Sequence, residues 1–544
     1  MLTRIKGGRI VDPATRRDQI DDIWIRDERI ADPPDGGIRA DYTYDAGGKI
    51  VMAGGIDIHS HIAGFNVNTA RLLLPELHRG SVPRPVDTPL STAGWSTFET
   101  GCRYAAMGFT TVVEPAVPPS FALHAHLELA DIPIIDKASL AVLGNDDFLL
   151  SLLRTSQGSA IIRDYVAWTL ESTRSLGIKV INAGGAVAFK ANARQFSLDD
   201  IVPHYGVTSR TILKSLQFAV QELGVPHPLH VHCNNLGLPG NVETAIETIA
   251  AADGLPMHLA HLQFYGYGRE GERGFSSAAP VLAEAVNKAT NMTVDVGQVM
   301  FGQTVTVSLD VLRQFNSRDQ AQPRKWLIFD GDAEGAGVVP YNYRANNFYN
   351  AVQWAVGLEL FLLIEDPSRV FFTTDHPNGA PFTTYPEIFA LLMDAELRAQ
   401  WIAKLPANAM AVTSLASIKR EYSLGEIATM TRAAPAQLLG LKDRGHLRTG
   451  AIADVAVYDD DRDRARMFRA AALVFKNGEL VARNGQVIRY RWGRALKVSP
   501  NYDRDIERRM RTYYEERYGL ASDLMKVPQH AIPRPEPFES VPCR

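Results

Sequence analysis

"GGIDIHSHIAG", Gly54–Gly64, sets two histidines one residue apart at the end of an apolar run. In a strand, residues two apart share a face, so His59 and His61 point the same way into the loop that follows. A second pair, His124 and His126 in "FALHAHLELADI", precedes leucines and alanines at helical spacing. On a helix, residues two apart sit about 200° around the axis and do not meet at one ion. His124 and His126 therefore read as surface or packing residues.

Outward from Gly54 the chain repeats one cycle. Short apolar runs ("FTTVVEPA", "IKVINAGG", "PLHVHC", "MHLAHL", "MTVDVG", "VFFTTD") end in polar or glycine-rich loops, and stretches such as "SRTILKSLQFAVQELG" and "SAAPVLAEAVNKATN" lie between them as helices. That alternation is the pattern of parallel β/α units. Residues 54–440 are long enough for eight, so the class is α/β, a (β/α)8 TIM barrel. The near-continuous apolar strands suit a sheet covered on both faces. Residues 1–53 and 441–498 read as short β-prone runs, with "NGE" and "NGQ" as hairpin turns, and predict one small β-sandwich domain built from both chain ends. Residues 499–544 form a tail: "YDRDIERRMRTYYEERYG" as a charged amphipathic helix, then a proline-rich strip that either docks a subunit or stays solvated.

Composition narrows the function. The 544 residues are 46% hydrophobic and 22% charged with net charge −4, which argues against nucleic acid or an anionic membrane as partner. Cys102, Cys233 and Cys543 offer no disulfide framework, zinc knuckle or iron–sulfur spacing. "AVQWAVGLELFLLIED" is interrupted by Glu359 and too short for a bilayer, and "MLTRIKGGRIVD" lacks a signal-length apolar stretch. The expected location is the cytoplasm.

Catalytic residues of a barrel gather where strands run into loops at their C-terminal ends. Besides His59 and His61, three such junctions carry His227, His230 and His232, then His258 and His261, then Asp375 and His376. Imidazoles with a carboxylate suit zinc or a similar ion. Spacing does not choose between His230 and His232, which share a face, or between His258 and His261. Lys179, in the apolar run "LGIKVINAGG", either snorkels to the surface or is a buried amine that forms a carbamate spanning two cations. Lys190 in "AVAFKAN" is the rival position.

With "IDIHSH", a strand lysine, "VHCNN", "AHLQ", "TTDH" and the return "GHLRTGAIADVAVYD", the chain resembles the amidohydrolase superfamily. "VEPAVPPSFALHAHLEL", "HPLHVHCNNLGLPGN", "AHLQFYGYG" and "TTDHPNGAPF" resemble, within it, the A subunits of formylmethanofuran dehydrogenases and the alpha subunits of bacterial formyltransferase/hydrolase complexes. The resemblance implies a binuclear zinc centre of His59, His61, Lys179 as a bridging carbamate, His232, His261 and Asp375. It implies hydrolysis of an N-formyl amide on a methanofuran- or methylofuran-type carrier, Asp375 acting as acid and base, within a complex containing other subunits. Asn234, Asn235, Tyr265 and Arg269 are the candidates for holding the carrier, the last two in the loop "QFYGYGREGERGF"; "DGDAEGAGVVPYNYRANNF" is a second such loop. Asn234 stands where hydantoinase-like relatives have glutamate, and Ala53 where many have proline. The alternatives are the archaeal condensation of formate with methanofuran, a hydantoinase- or dihydroorotase-like cyclic amidohydrolase, and a metal-free scaffold.

Overall fold

The computed structural model describes residues 1–35, 38–73, 97–193, 195–308, 327–330, 335–532 and 538–544. Eight parallel strands succeed one another around its centre: Gly55–Asp57, Phe109–Val117, Asp136–Leu143, Gly177–Ile181, Leu229–His232, Met257–Leu259, Met292–Asp295 and Val370–Phe371. The first and eighth meet just beyond their ends, where Ser60 bridges His376 in parallel and the His61 amide donates to the His376 carbonyl at 2.8 Å. The barrel is thus closed by the residue between the two histidines of "HSH" and by the neighbour of Asp375.

Strand alternation explains the polarity of the interior. Leu229 and Val231 join the apolar layer under the helices while His230 and His232 take the other face. Ile178 and Val180 flank Lys179 in the same way, and Met257 and Leu259 flank His258. Register puts Lys179, His230, His258 and Thr293 at one level, with His232 one step nearer the loops. The two expected helices form as Ser209–Glu222, capped by Thr208, and Ala279–Lys288, and the apolar stretch around Glu359 forms a third, Phe348–Leu363, capped by Asn347.

The two chain ends combine as predicted, in one continuous nine-stranded sheet with its own apolar core of Ile5, Ile23, Val51, Val455 and Phe475 among others. Both hairpins predicted at Asn-Gly have positive φ at the two turn residues: 47° and 77° at Asn477 and Gly478, 50° and 72° at Asn484 and Gly485. That is the turn whose twist matches the strands it joins.

Two regions differ from expectation. The stretch "DGDAEGAGVVPYNYRANNF" carries a strand, Gly335–Tyr343, which lies between Gly302–Ser308 and Leu327–Asp330 in a three-stranded antiparallel sheet inserted between the last two barrel strands; residues 331–334 lie outside the described residues. The tail, in turn, lies along its own barrel. Ile506, Met510 and Tyr514 bury one face of the helix Asp505–Tyr518, and the tyrosines 513 and 518 donate hydrogen bonds to Asp147. Glu539–Ser540 pairs with Ala495–Lys497, which pairs with the base of the third barrel strand. Proline-rich composition blocks autonomous folding but not docking on a preformed surface. Among the described residues no helix is long and apolar enough to cross a membrane.

Candidate metal centre

The loop ends of the first, fourth, fifth, sixth and eighth strands bring His59, His61, Lys179, His232, His261 and Asp375 together. His59 Nε2 and His61 Nε2 lie 3.0 and 3.3 Å from the same oxygen, Asp375 Oδ1. The His59 and His261 rings are 5.4 Å apart, and those of His261 and His232 4.5 Å. Backbone geometry aims two of these side chains. His261 and Asp375 have positive φ, 36° and 51°, uncommon outside glycine. Between them lies Gly297, where a Cβ would come within 2.5 Å of the His261 Cβ and 3.5 Å of the Asp375 Cβ, so only glycine fits.

Carboxylates stand behind both histidines of "HSH". His59 Nδ1 is 2.9 Å from Asp295 Oδ2, and His61 Nδ1 is 3.0 Å from Glu114 Oε1. With those acceptors each ring donates from Nδ1 and directs its Nε2 toward Asp375, the orientation a metal ligand needs. Asp57, on the first strand, accepts from the His59 amide and from the hydroxyls of Tyr104 and Tyr385, fixing the strand end from below. Asp295, Glu114 and Asp57 were not singled out in the sequence. Their signal is a lone carboxylate within an apolar strand, as in "MTVDVG" and "FTTVVEPA", where burial demands a partner.

Polar atoms here are buried without hydrogen bonds. Among the described residues, Lys179 Nζ, His59 Nε2, His261 Nδ1 and Asp375 Oδ1 have no such partner. Burial lowers the Lys179 amine to about 8, although Asp295 and Asp375 act to raise it. Burial opposes the charge on Asp375 as well, but the imidazoles of His261 and His59 hold it well below the usual carboxylate range. His61 loses to burial and gains more from Glu114 and Asp375, ending at about 9. The field of the site therefore favours positive charge, and its donors are imidazole nitrogen and carboxylate oxygen. That set fits a divalent cation of the zinc class.

His230 and His258 lie a level deeper, on Asp295, whereas His232 and His261 stand ring against ring near the loops. Lys190 is exposed at the end of the helix Gly185–Lys190, while Lys179 is 1% exposed. His124 is half-exposed and reaches Glu128; His126 is buried and donates to the Thr173 carbonyl at 2.8 Å. Both lie on the helix Ala122–Asp131, away from the centre, as their spacing predicts.

The carrier-holding residues fare differently. Asn234 Nδ2 donates to Ser209 Oγ, and Asn235 clasps both the amide and the carbonyl of Phe196. Tyr265 is fully buried, its hydroxyl donating to the Cys233 carbonyl and its ring stacked on His261. Arg269 is exposed, with Nε on the Pro239 carbonyl. The loop expected to grip a ligand is folded into a 3-10 turn, Leu262–Tyr265, and a hairpin of Tyr267–Gly268 with Ser276–Ser277. Its aromatic residues pack inward because the turn closes over the sixth strand.

The amidohydrolase family model matches residues 42–488, from the sheet domain through the barrel and back. The chain belongs to the amidohydrolase family. The A subunit of the formyltransferase/hydrolase complex Fhc of Methylorubrum extorquens is 53% identical to it over 551 residues, covering the whole of both chains. Protein FwdA of Methanocaldococcus jannaschii is 37% identical, covering 92% of each. The crystal structure of the FhcABCD complex of M. extorquens with methylofuran contains a chain that superposes with a TM-score of 0.96 over 100% of both chains. N-acyl-D-glutamate deacylase of Bordetella bronchiseptica, at 18% identity and TM-score 0.52 over 90% of this amidohydrolase and 99% of its own chain, shares the fold. Family and fold neighbours together support a hydrolase.

Proposed function

We propose that this amidohydrolase hydrolyses an N-formyl amide on a methylofuran-type one-carbon carrier, as the metal-bearing member of a formyltransferase/hydrolase complex. The convergence of His59, His61 and Asp375, whose candidate ligand atoms all lie within 4.8 Å of one another, beside the buried Lys179 amine carries the reading. The full-length likeness to the Fhc relative, whose complex was crystallised with methylofuran, supports the choice of carrier and of companion subunits. His59, His61, Lys179, His232, His261 and Asp375 hold two zinc ions. An amine whose pKa is about 8 is neutral often enough at neutral pH to add CO2, losing a proton and becoming a carbamate whose oxygens would join the zinc donor set. When bound, zinc polarises the formyl oxygen and brings the pKa of water from 15.7 to about 7.

Asp375 moves the proton. Its Oδ2 accepts from Asn378 Nδ2 at 3.0 Å, which leaves Oδ1 facing His59 and His61. Oδ1 takes a proton from the attacking water and delivers it to the amide nitrogen as the C–N bond breaks. Formate and the free amine leave. Arg269, exposed at the rim, remains available to the carrier's tail, whereas Asn234, Asn235 and Tyr265 act on it through the loops they hold.

The test is zinc per chain in the purified complex, together with formate release from a formylated aminomethylfuran. About two zinc equivalents and steady formate release are expected. Asp375→Asn should keep its thermal midpoint and lose activity by about 100-fold or more. Near-normal turnover in that variant, or ring opening of hydantoin without formate release in the wild type, overturns the reading.

A further inference from the structure

Beneath the centre lies a polar floor that takes no part in the chemistry above. Asp295, on the seventh strand, is fully buried and has both oxygens engaged. Oδ1 accepts from the backbone amide of His261 at 2.6 Å. Oδ2 accepts from His59 Nδ1 at 2.9 Å and from His258 Nε2 at 3.0 Å. His258 Nδ1 faces the Thr293 hydroxyl at 2.9 Å, so Thr293 donates there and the His258 proton stays on Nε2, pointing at Asp295. His230 completes the floor, with Nε2 3.1 Å from His59 Nδ1 and Nδ1 3.0 Å from His227 Nε2.

One carboxylate thus touches two groups that come from opposite walls of the barrel. It fixes the ring and tautomer of His59 on the first strand, and it fixes the backbone of His261, whose positive φ needs holding. We propose that Asp295, oriented by His258, is a positioning residue that sets His59 and His261 to their separation, and that His230 and His258 serve as its supports and not as metal ligands. The proposal rests on the reading of His59 and His261 as ligands. Glu114 differs in kind: it orders His61 and the amides of Ile62 and Ala63, all on one loop. Losing Asp295 loosens both sides of the centre, and losing Glu114 only one.

The experiment uses the intact complex and follows zinc transfer to a chromophoric chelator, with kcat and KM measured in parallel. Asp295→Asn should release zinc about 10- to 100-fold faster than wild type, the loss typical of a supporting carboxylate. Its kcat should fall with KM little changed, and Glu114→Gln should release zinc more slowly than Asp295→Asn. His258→Phe should shift release in the same direction, and His258→Gln, which restores a donor to Asp295, should recover part of the difference. These two variants carry the test if Asp295→Asn fails to fold. Zinc release within twofold of wild type in Asp295→Asn and His258→Phe overturns this inference alone. A wild-type complex that holds no zinc overturns the metal reading, and this inference with it.

Discussion

Two buried charged centres lie at opposite ends of this barrel, and they are built on opposite principles. At the base, Asp136 begins the third strand and meets Arg444 Nε and Lys476 Nζ at 2.8 Å each, plus the Arg494 amide at 2.7 Å. Lys476 also pairs with Asp454, and Arg444 and Arg494 share Glu539 from the tail. Every charge has a counter-charge, and burial is outweighed: Lys476 and Arg444 hold Asp136 well below the usual carboxylate range. At the loop end, Lys179 Nζ is as deeply buried and has no hydrogen-bond partner among the described residues, and Asp375 Oδ1 faces the imidazoles of His59 and His61 with no fixed cation such as Arg444 or Lys476 against it. Satisfied ionic burial fastens barrel, sheet domain and tail together. Convergent unsatisfied burial reserves space for something that is not protein.

The sharpest way to break this contrast is to remove the unpartnered amine. Lys179→Ala deletes a buried amine that no hydrogen bond holds among the described residues, so folding should be spared. At least one zinc should be lost, and formate release should fall by more than the about 100-fold that a lost supporting bond costs. Lys190→Ala, at an exposed position, should change neither. Unchanged zinc in Lys179→Ala would make that amine a structural residue like Lys476 and would end the contrast.

Asp136→Asn is the converse. It leaves Lys476 and Arg444 facing an amide, and the loss of one partner from a buried pair costs about 3 kcal/mol or more. Chemical denaturation should show that loss, while kcat and zinc content per folded chain stay at wild-type values. A variant with normal stability but impaired turnover would mean that the base of the barrel is coupled to the site, and the division of labour would fall.

How far the sequence carries this division depends on range. The barrel, the paired chain ends and the Asn-Gly hairpins follow from local periodicity and turn chemistry, and "HSH" carries its own geometry because strand alternation is local. His232 and His261 were separable from His230 and His258 only by resemblance, since alternation places each pair or its neighbours in register without saying which level meets the loops. Asp295 and Glu114 are ordinary carboxylates until the first strand is known to pair with the second and its His59 to reach Asp295 of the seventh. The tail's docking has the same cause: Asp147 collects hydroxyls from Tyr205, 58 positions away, and from Tyr513 and Tyr518, 366 and 371 positions away. The loop around Tyr265 is ambiguous for another reason. Aromatic and glycine content is compatible with ligand binding and with a tightly packed turn alike, and burial alone decides between them.

The smallest expected effect falls on the histidine that spacing set aside. His126 is buried, and burial lowers it to about 4, the Thr173 carbonyl working in the other direction. Its ring packs edge-on against Phe538 of the tail at 5.3 Å. An unfolded histidine titrates near 6.5, so between that value and about 4 the unfolded chain binds a proton that the folded chain refuses. Stability from this group is therefore complete above pH 6.5 and lost progressively as pH falls toward 4, by at most about 3 kcal/mol. Because the ring holds one end of the tail, the loss should appear first as release of the strip around Phe538, seen as faster proteolysis there at pH 5 than at pH 7.5. His126→Gln keeps a donor for Thr173 and has no proton to gain, so its stability should fall less than that of wild type over that interval, the other buried histidines still contributing. A wild-type profile that falls no more steeply than that of the variant would mean that the imidazole is protonated without leaving its site, and would weaken the view that satisfied burial, at this end of the molecule, is what ties the tail down.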